Sequence, residues 1–143
     1  MSKWNKQKFI SDLDEKCSRE VVKITRQIID FSEKHSEHLS WGRGDEHGTM
    51  TFRCMSDMGL FPLFHINSDG NINLQINFLR NKEIPKMVLR DMVVKLESNL
   101  LREYDTEMYP VDSFEPVEDL FNTKSQVTKF LKTIEGCVYR LKQ

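Results

Sequence analysis

Histidines and arginines stand close to glycines in the middle of the sequence, in the segment 40–54 that reads SWGRGDEHGTMTFRC. Arg43, His47 and Arg53 belong to this segment, and His65 follows it. A histidine can exchange a proton near neutral pH, and an arginine can hold a phosphate group through parallel hydrogen bonds. These residue types favour, as one hypothesis, a hydrolase for a phosphate-containing substrate that uses His47 or His65 with Arg43 or Arg53.

The glycines of this segment do not have the context of a phosphate-binding loop. Such a loop aims backbone N–H groups at an anion from the start of a helix, whereas Gly42, Gly44 and Gly48 precede a predicted strand. No Gly-Lys-Ser or Gly-Lys-Thr sequence follows them. We therefore expect the glycines to shape a tight connection into the strand, which Trp41 holds against the core.

His35, His38 and His47 are the side chains that could bind a metal ion. No pair of cysteines or histidines has the spacing of a zinc finger, and zinc sites usually need three or four ligands close together. Histidines near the end of a helix are also favoured by the helix dipole alone. The sequence therefore predicts no metal and no cofactor.

A β-hairpin must position His65, and its register follows from the sequence LFPLFHINSDGNINLQINF at 60–78. A three-residue turn at 68–70 places apolar residues opposite each other, whereas a two-residue turn mixes polar and apolar side chains on both faces. The predicted cross-strand pairs are Ile66–Ile72, Phe64–Leu74, Pro62–Ile76 and Leu60–Phe78.

A second turn at 57–59 extends the same apolar face to the preceding strand. It predicts the pairs Met50–Ile66, Phe52–Phe64 and Cys54–Pro62. Since proline cannot donate a hydrogen bond to a ladder, we expect either a bulge at Pro62 or only partial pairing of its neighbour. The sequence thus predicts an antiparallel meander with strands at about 49–55, 60–66 and 72–78.

Polar residues alternate with these apolar ones and form the opposite face of the meander, where His65 is expected between Thr51 and Asn73. This face and the glycine-rich segment together are the candidate binding surface. Whether the two meet in space stays open at this point. The candidate residues are Arg43, His47, Thr51, Arg53, His65, Asn73 and Gln75.

Helices are predicted on both sides of the meander in the chain. Residues 5–36 show helical periodicity in two pieces, with Ser18 as the N-cap of the second. Residues 84–102 form an amphipathic helix, and Thr123 with Gln126 is a capping box at the start of the last one. The fold class is therefore α+β, with the sheet packed on N-terminal and C-terminal helices.

The last helix is locally basic and is a second candidate contact surface, through Lys129, Lys132 and Arg140. Segment 103–119 holds acidic residues but no lysine or arginine, so it can neutralise this helix within the chain. A charged helix face is usually only solvated.

The composition fits one domain, 1–143, of a water-soluble protein. The chain is 38% hydrophobic and 30% charged, with a net charge of −1, so no overall field attracts nucleic acid or a membrane. Cys17, Cys54 and Cys137 are odd in number and widely spaced, which favours reduced thiols. The first residues lack the apolar segment of a secretion signal, so we expect a cytoplasmic protein without membrane association.

The motifs WGxG at 41–44 and GTxxF at 48–52, with the later turn at Gly70 and the strand end at 78–79, resemble a small α+β domain of bacterial proteins whose function is unassigned. Some proteins with this domain are associated with DNA. The resemblance implies the α+β fold and a cellular theme, and it implies no catalytic residues.

The leading functional hypothesis is a non-catalytic binding or regulatory module with a protein or nucleic-acid partner. The hydrolase described above is one alternative. A self-associating structural domain, which pairs through sheet edges or helix faces, is another.

Overall fold

The computed structural model describes residues 3–42, 46–56, 59–80, 86–100 and 114–142, and the structural statements below concern these residues. Helices at both ends of the chain flank a five-stranded antiparallel sheet, so the predicted α+β class is confirmed. The helices are α1 Lys6–Lys16, α2 Arg19–His35, α3 Ile76–Arg80, α4 Lys86–Leu100, α5 Val117–Leu120 and α6 Lys124–Leu141. The strands are β1 His38–Ser40, β2 Thr49–Ser56, β3 Gly59–Asn67, β4 Asn71–Leu74 and β5 Glu115–Pro116.

The sheet follows chain order, β1-β2-β3-β4-β5, and is therefore a meander. Its inner register agrees with the prediction, including the turn at 68–70, where Gly70 has a φ of 86° that favours glycine. The confirmed pairs are Met50–Ile66, Phe52–Phe64, Ile66–Ile72 and Phe64–Leu74.

The outer half of the β2–β3 hairpin differs from the prediction by one residue. The register shifts after Phe52, so that Leu63 is the extra residue of a bulge, close to the predicted position at Pro62. Cys54 consequently pairs with Phe61 rather than with Pro62, and Gly59 pairs with Ser56 instead of belonging to the turn.

The one-residue shift also exchanges the faces of two side chains beyond the bulge. Leu60, predicted on the apolar face, is 43% exposed, and Phe61 packs against the core instead. Leu60 lies opposite Met55, which is 45% exposed.

The predicted strand at 72–78 is too long. β4 ends at Leu74, and residues 76–80 form α3, so the predicted pairs Pro62–Ile76 and Leu60–Phe78 are wrong. The chain leaves the sheet after Leu74 and enters α3, so β4 does not extend along β3 beyond the bulge. The backbone N–H of Gln75 donates the last hydrogen bond, to the carbonyl of Leu63 at 3.1 Å.

The helix starts agree with their sequence signals. The Ser18 hydroxyl accepts a hydrogen bond from the backbone N–H of Val21, and Thr123 forms the capping box with Gln126. α4 lies within the predicted helix at 84–102. None of the helices in the described ranges is long and apolar enough to cross a membrane.

The core lies between the apolar sheet face and helices α2 and α6. A continuous row of aromatic rings crosses it, with neighbouring ring centroids 5.0–6.0 Å apart. The rings belong to Phe31, Phe52, Phe64, Phe130 and Phe121.

Candidate functional site

A row of polar side chains crosses the face of the sheet opposite the core. Thr51 Oγ1 lies 2.7 Å from His65 Nδ1, and His65 stands directly opposite Asn73 in the ladder. The Gln75 side-chain amide donates to Asn73 Oδ1 at 2.9 Å. Thr51 and Asn73 are buried, so these two side chains of the row have little access to solvent. The structure thus brings these candidate residues together as the alternation of side chains predicts.

Arg53 lies beside this row but is directed to the edge strand β1. Its Nη1 donates to Ser40 Oγ at 2.7 Å and lies 3.4 Å from His38 Nδ1. Because of the bulge, Arg53 stands opposite Pro62. Its guanidinium group therefore links β1 to β2.

His47 belongs to a different cluster, at the β3–β4 turn. Its Nδ1 lies 3.2 Å from Asp69 Oδ2. Lys16 Nζ lies 3.0 Å from Asp69 Oδ1 and 2.9 Å from Asp12 Oδ2, and it also donates to the Glu46 carbonyl. Arg43, the remaining candidate, lies outside the described residues. The described part of the glycine-rich segment thus joins the turn at 68–70 through His47, whereas His65 is held by Thr51.

Ser68 is the centre of this turn cluster. Its hydroxyl accepts a hydrogen bond from the Gly48 N–H at 2.9 Å and donates one to Asp12 Oδ2 at 2.6 Å. Because Ser68 is fully buried, it fastens α1 and the start of β2 to the turn and does not present a nucleophile to a substrate.

The same contacts stabilise the charged form of Asp12. Burial raises the pKa of this carboxyl group, but hydrogen bonds from Ser68 and Lys16 and the charges of Lys16 and His47 lower it more. The net result is a pKa below its ordinary value of 3.8. Asp12 is therefore ionised at neutral pH and cannot act there as a proton donor.

The sequence offered no signal for this cluster. Asp12 and Lys16 are four residues apart on α1, which is the spacing of an ordinary surface ion pair. Their contacts with Ser68 and Asp69 span more than fifty positions of the chain and depend on how α1 packs on the sheet.

The remaining histidine candidates do not converge. The His35 ring packs against Phe31 with centroids 4.4 Å apart, His38 lies at Arg53, and His47 lies at Asp69. In the part of the chain that the structure describes, no group of three or more His, Cys, Asp or Glu side chains is placed to hold a metal ion.

The two buried thiols are poor nucleophiles. Burial raises the pKa of Cys54 to about 12 and that of Cys137 to about 11. Since the thiolate is the reactive form, both side chains stay protonated at neutral pH.

Helices α2 and α6 pack in parallel and leave an open groove of about 840 Å³ at their C-terminal ends, which we call the α2–α6 groove. Residues that line it include Lys34, His35, Lys132, Tyr139 and Lys142. Tyr139 is 67% exposed. Lys142 forms an ion pair with Glu37, and Glu135 also lines the groove.

The three basic candidates of the last helix are separated by this geometry. Lys132 lines the α2–α6 groove, whereas Arg140 turns to α4 and forms an ion pair with Asp91. Lys129 is exposed and does not line the groove among the described residues. Tyr139 was missed by sequence reasoning, although its position seven residues after Lys132 already places an aromatic ring on the polar face of the helix.

Comparisons with protein-family models, with curated proteins and with solved structures found no match for the chain. The resemblance carried by WGxG and GTxxF therefore stays a prediction.

Proposed function

We propose that the protein is a non-catalytic binding module and that its macromolecular partner binds in the α2–α6 groove. The observation that carries this proposal is the exposed Tyr139 ring in an open groove lined by lysines. Tyrosine supplies a large contact area at a low cost in side-chain entropy, and it is enriched at interfaces for that reason.

The contacts of the candidate catalytic groups support a non-catalytic role. His47 is paired with Asp69, and the Arg53 guanidinium donates to Ser40. The Ser68 hydroxyl is fully buried. A catalytic group needs a position within hydrogen-bond reach of a substrate, which the buried Ser68 hydroxyl lacks, and the Arg53 guanidinium is held at the sheet edge.

The shape of the groove supports a macromolecule over a small ligand. Sites for small molecules bury most of the ligand in a cleft lined mainly by apolar side chains. The α2–α6 groove is open, and charged side chains supply much of its lining. The positive ones are Lys34, Lys132 and Lys142, and the negative ones are Glu37 and Glu135.

The sheet edges give less support to self-association. β1 has three residues and β5 has two, and β5 contains Pro116. Short edge strands and proline are the features that prevent strand pairing between molecules.

A photo-crosslinking amino acid at position 139 tests the proposal, with the same amino acid at position 129 as the matched control. Both positions are exposed on α6, but only position 139 lines the groove. After irradiation in cell extract, we expect a macromolecular adduct, protein or nucleic acid, from position 139 and little from position 129. Absence of an adduct at position 139, or equal adducts at both positions, would contradict the proposal.

A further inference from the structure

We propose that the partner in the α2–α6 groove is single-stranded nucleic acid, with a base stacked on Tyr139 and phosphates held by Lys34 and Lys132. This inference rests on the proposed function and names the chemical class of the partner. It follows from an accessible aromatic face and nearby cations on the same open surface.

The Tyr139 ring has the accessibility that stacking requires. Its side chain is 67% exposed on the groove side of α6. Gly136 lies one turn earlier on the same helix and also lines the groove, and a Cβ added there would meet no atom within 4 Å. The backbone of α6 therefore leaves free space beside the ring, where a flat base can approach. Stacking of bases on aromatic side chains tolerates any sequence, because every base has a π face.

Lysines from both helices line the same groove as this ring. Lys34 comes from α2, and Lys132 and Lys142 come from α6. Lys142 is paired with Glu37, which weakens its attraction for a phosphate, so Lys34 and Lys132 are the stronger phosphate contacts. Cations that follow a nucleic-acid backbone beside an aromatic ring that stacks a base are the arrangement that binds single strands.

Helix dipoles set a limit on the affinity. Since α2 and α6 run parallel, both helices direct their C-terminal ends, which carry negative partial charge, to the groove. The net charge of −1 adds no long-range attraction. We therefore expect modest affinity in which stacking has a large share, and a clear preference for single strands over a duplex, whose bases are already stacked on each other.

Fluorescence anisotropy of a labelled oligothymidylate of about twelve nucleotides tests the inference. The same titration with a duplex of equal length gives the comparison. We expect tighter binding of the single strand and a slope of log K against log salt of about −1.4 to −2.1, because each of two or three phosphate contacts contributes about −0.7.

Point variants locate the contact. Tyr139→Ala should weaken binding by about fivefold or more, and Tyr139→Phe should retain it, because the ring and not the hydroxyl makes the stack. Lys132→Glu should weaken binding severalfold, whereas Lys129→Glu on the same helix is the matched control and should change it little. All four substitutions are at exposed positions, and thermal unfolding by circular dichroism checks that each variant is folded.

Three results would overturn the inference. They are absence of oligonucleotide binding at low salt, equal loss in Lys129→Glu and Lys132→Glu, and a Tyr139→Ala variant that binds as well as the wild type. A protein adduct from position 139 without oligonucleotide binding would contradict this inference and leave the proposed function intact. Absence of both would contradict both.

Discussion

The Ser68 hydroxyl connects α1, the start of β2 and the β3–β4 turn through its bonds to Asp12 and to the Gly48 N–H. A buried hydroxyl is stabilising only when its hydrogen bonds are made, and here it both donates and accepts. The charged residues around it, Lys16 and Asp69, are partly exposed and extend the network to the surface. The cluster therefore stabilises the packing of parts of the chain that are distant in sequence.

Asp12→Asn should lower the free energy of unfolding at neutral pH by about 1 kcal/mol or more, because a charge-assisted hydrogen bond and an ion pair are lost. The folded-state pKa of Asp12 lies below 3.8, so its contribution is complete above roughly pH 5 and declines as the pH falls through the folded-state pKa. Urea unfolding from pH 7 down to pH 3 measures this difference.

The matched control for this series is Asp14→Asn, an exposed position on the same helix, which should change stability little. If the Asp12→Asn difference stayed constant from pH 7 to pH 3, the network would not depend on the charge of Asp12.

His65 and His47 differ in whether their neighbours can be predicted from the sequence. The neighbours of His65 follow from strand alternation, since the register of two turns fixes which side chains share a face, and the structure places Thr51 and Asn73 there. The neighbour of His47 does not follow, because Asp69 meets it through tertiary packing that no local pattern encodes.

Among the elements, strands were predicted well near the core and poorly beyond it. The pairs next to Phe52 and Phe64 bury large side chains, so only one register satisfies them. Beyond the bulge this constraint is weaker, and the missing N–H of Pro62 accounts for the bulge next to it but not for the end of β4. The starts of α2 and α6 were predictable because Ser18 and Thr123 cap them by local hydrogen bonds.

Two glycines should respond in opposite ways to alanine. Gly136→Ala should raise stability by about 0.5–1 kcal/mol, because glycine is a poor helix former and the added Cβ meets no atom within 4 Å. Gly48→Ala should lower stability by about 1–3 kcal/mol, because its Cβ would lie 2.5 Å from Trp4 Cε3.

Thermal unfolding measures both variants, with a rise of about 2–5 °C expected for Gly136→Ala. A destabilised Gly136→Ala would mean that the space above this glycine is occupied in the folded protein.

For the whole molecule, the row of phenylalanines from Phe31 to Phe121 links α2, the sheet, α6 and the segment before α6 into one core. Phe130 is fully buried in this row and contacts Phe64 on one side and Phe121 on the other. Its position on the buried face of the last helix was predictable from helical spacing. That α2 and α6 would lie side by side was not, and the α2–α6 groove depends on that packing.

Phe130→Ala should lower the free energy of unfolding by about 3–5 kcal/mol, which is a large fraction of the total for a domain of this size. Phe114→Ala removes the same side chain at a position that is 41% exposed and should cost less than about 1 kcal/mol. Urea midpoints of the two variants make the comparison, and equal losses would show that the aromatic row is not the centre of the core.

The bulge at Leu63 has a consequence for changes in the length of the chain. When one residue is inserted into a strand, a bulge can accommodate it, and the strands pair regularly on both sides of the bulge. The β2–β3 hairpin has this arrangement at Leu63. The inner pairs at Phe52 and Phe64 are thereby uncoupled from the outer hairpin, where Met55 and Leu60 face solvent. Cys54 and Phe61 still pack on the core beyond the bulge, so longer or shorter hairpins could evolve, or be engineered, from the exposed Met55–Leu60 pair outward without moving a side chain of the core.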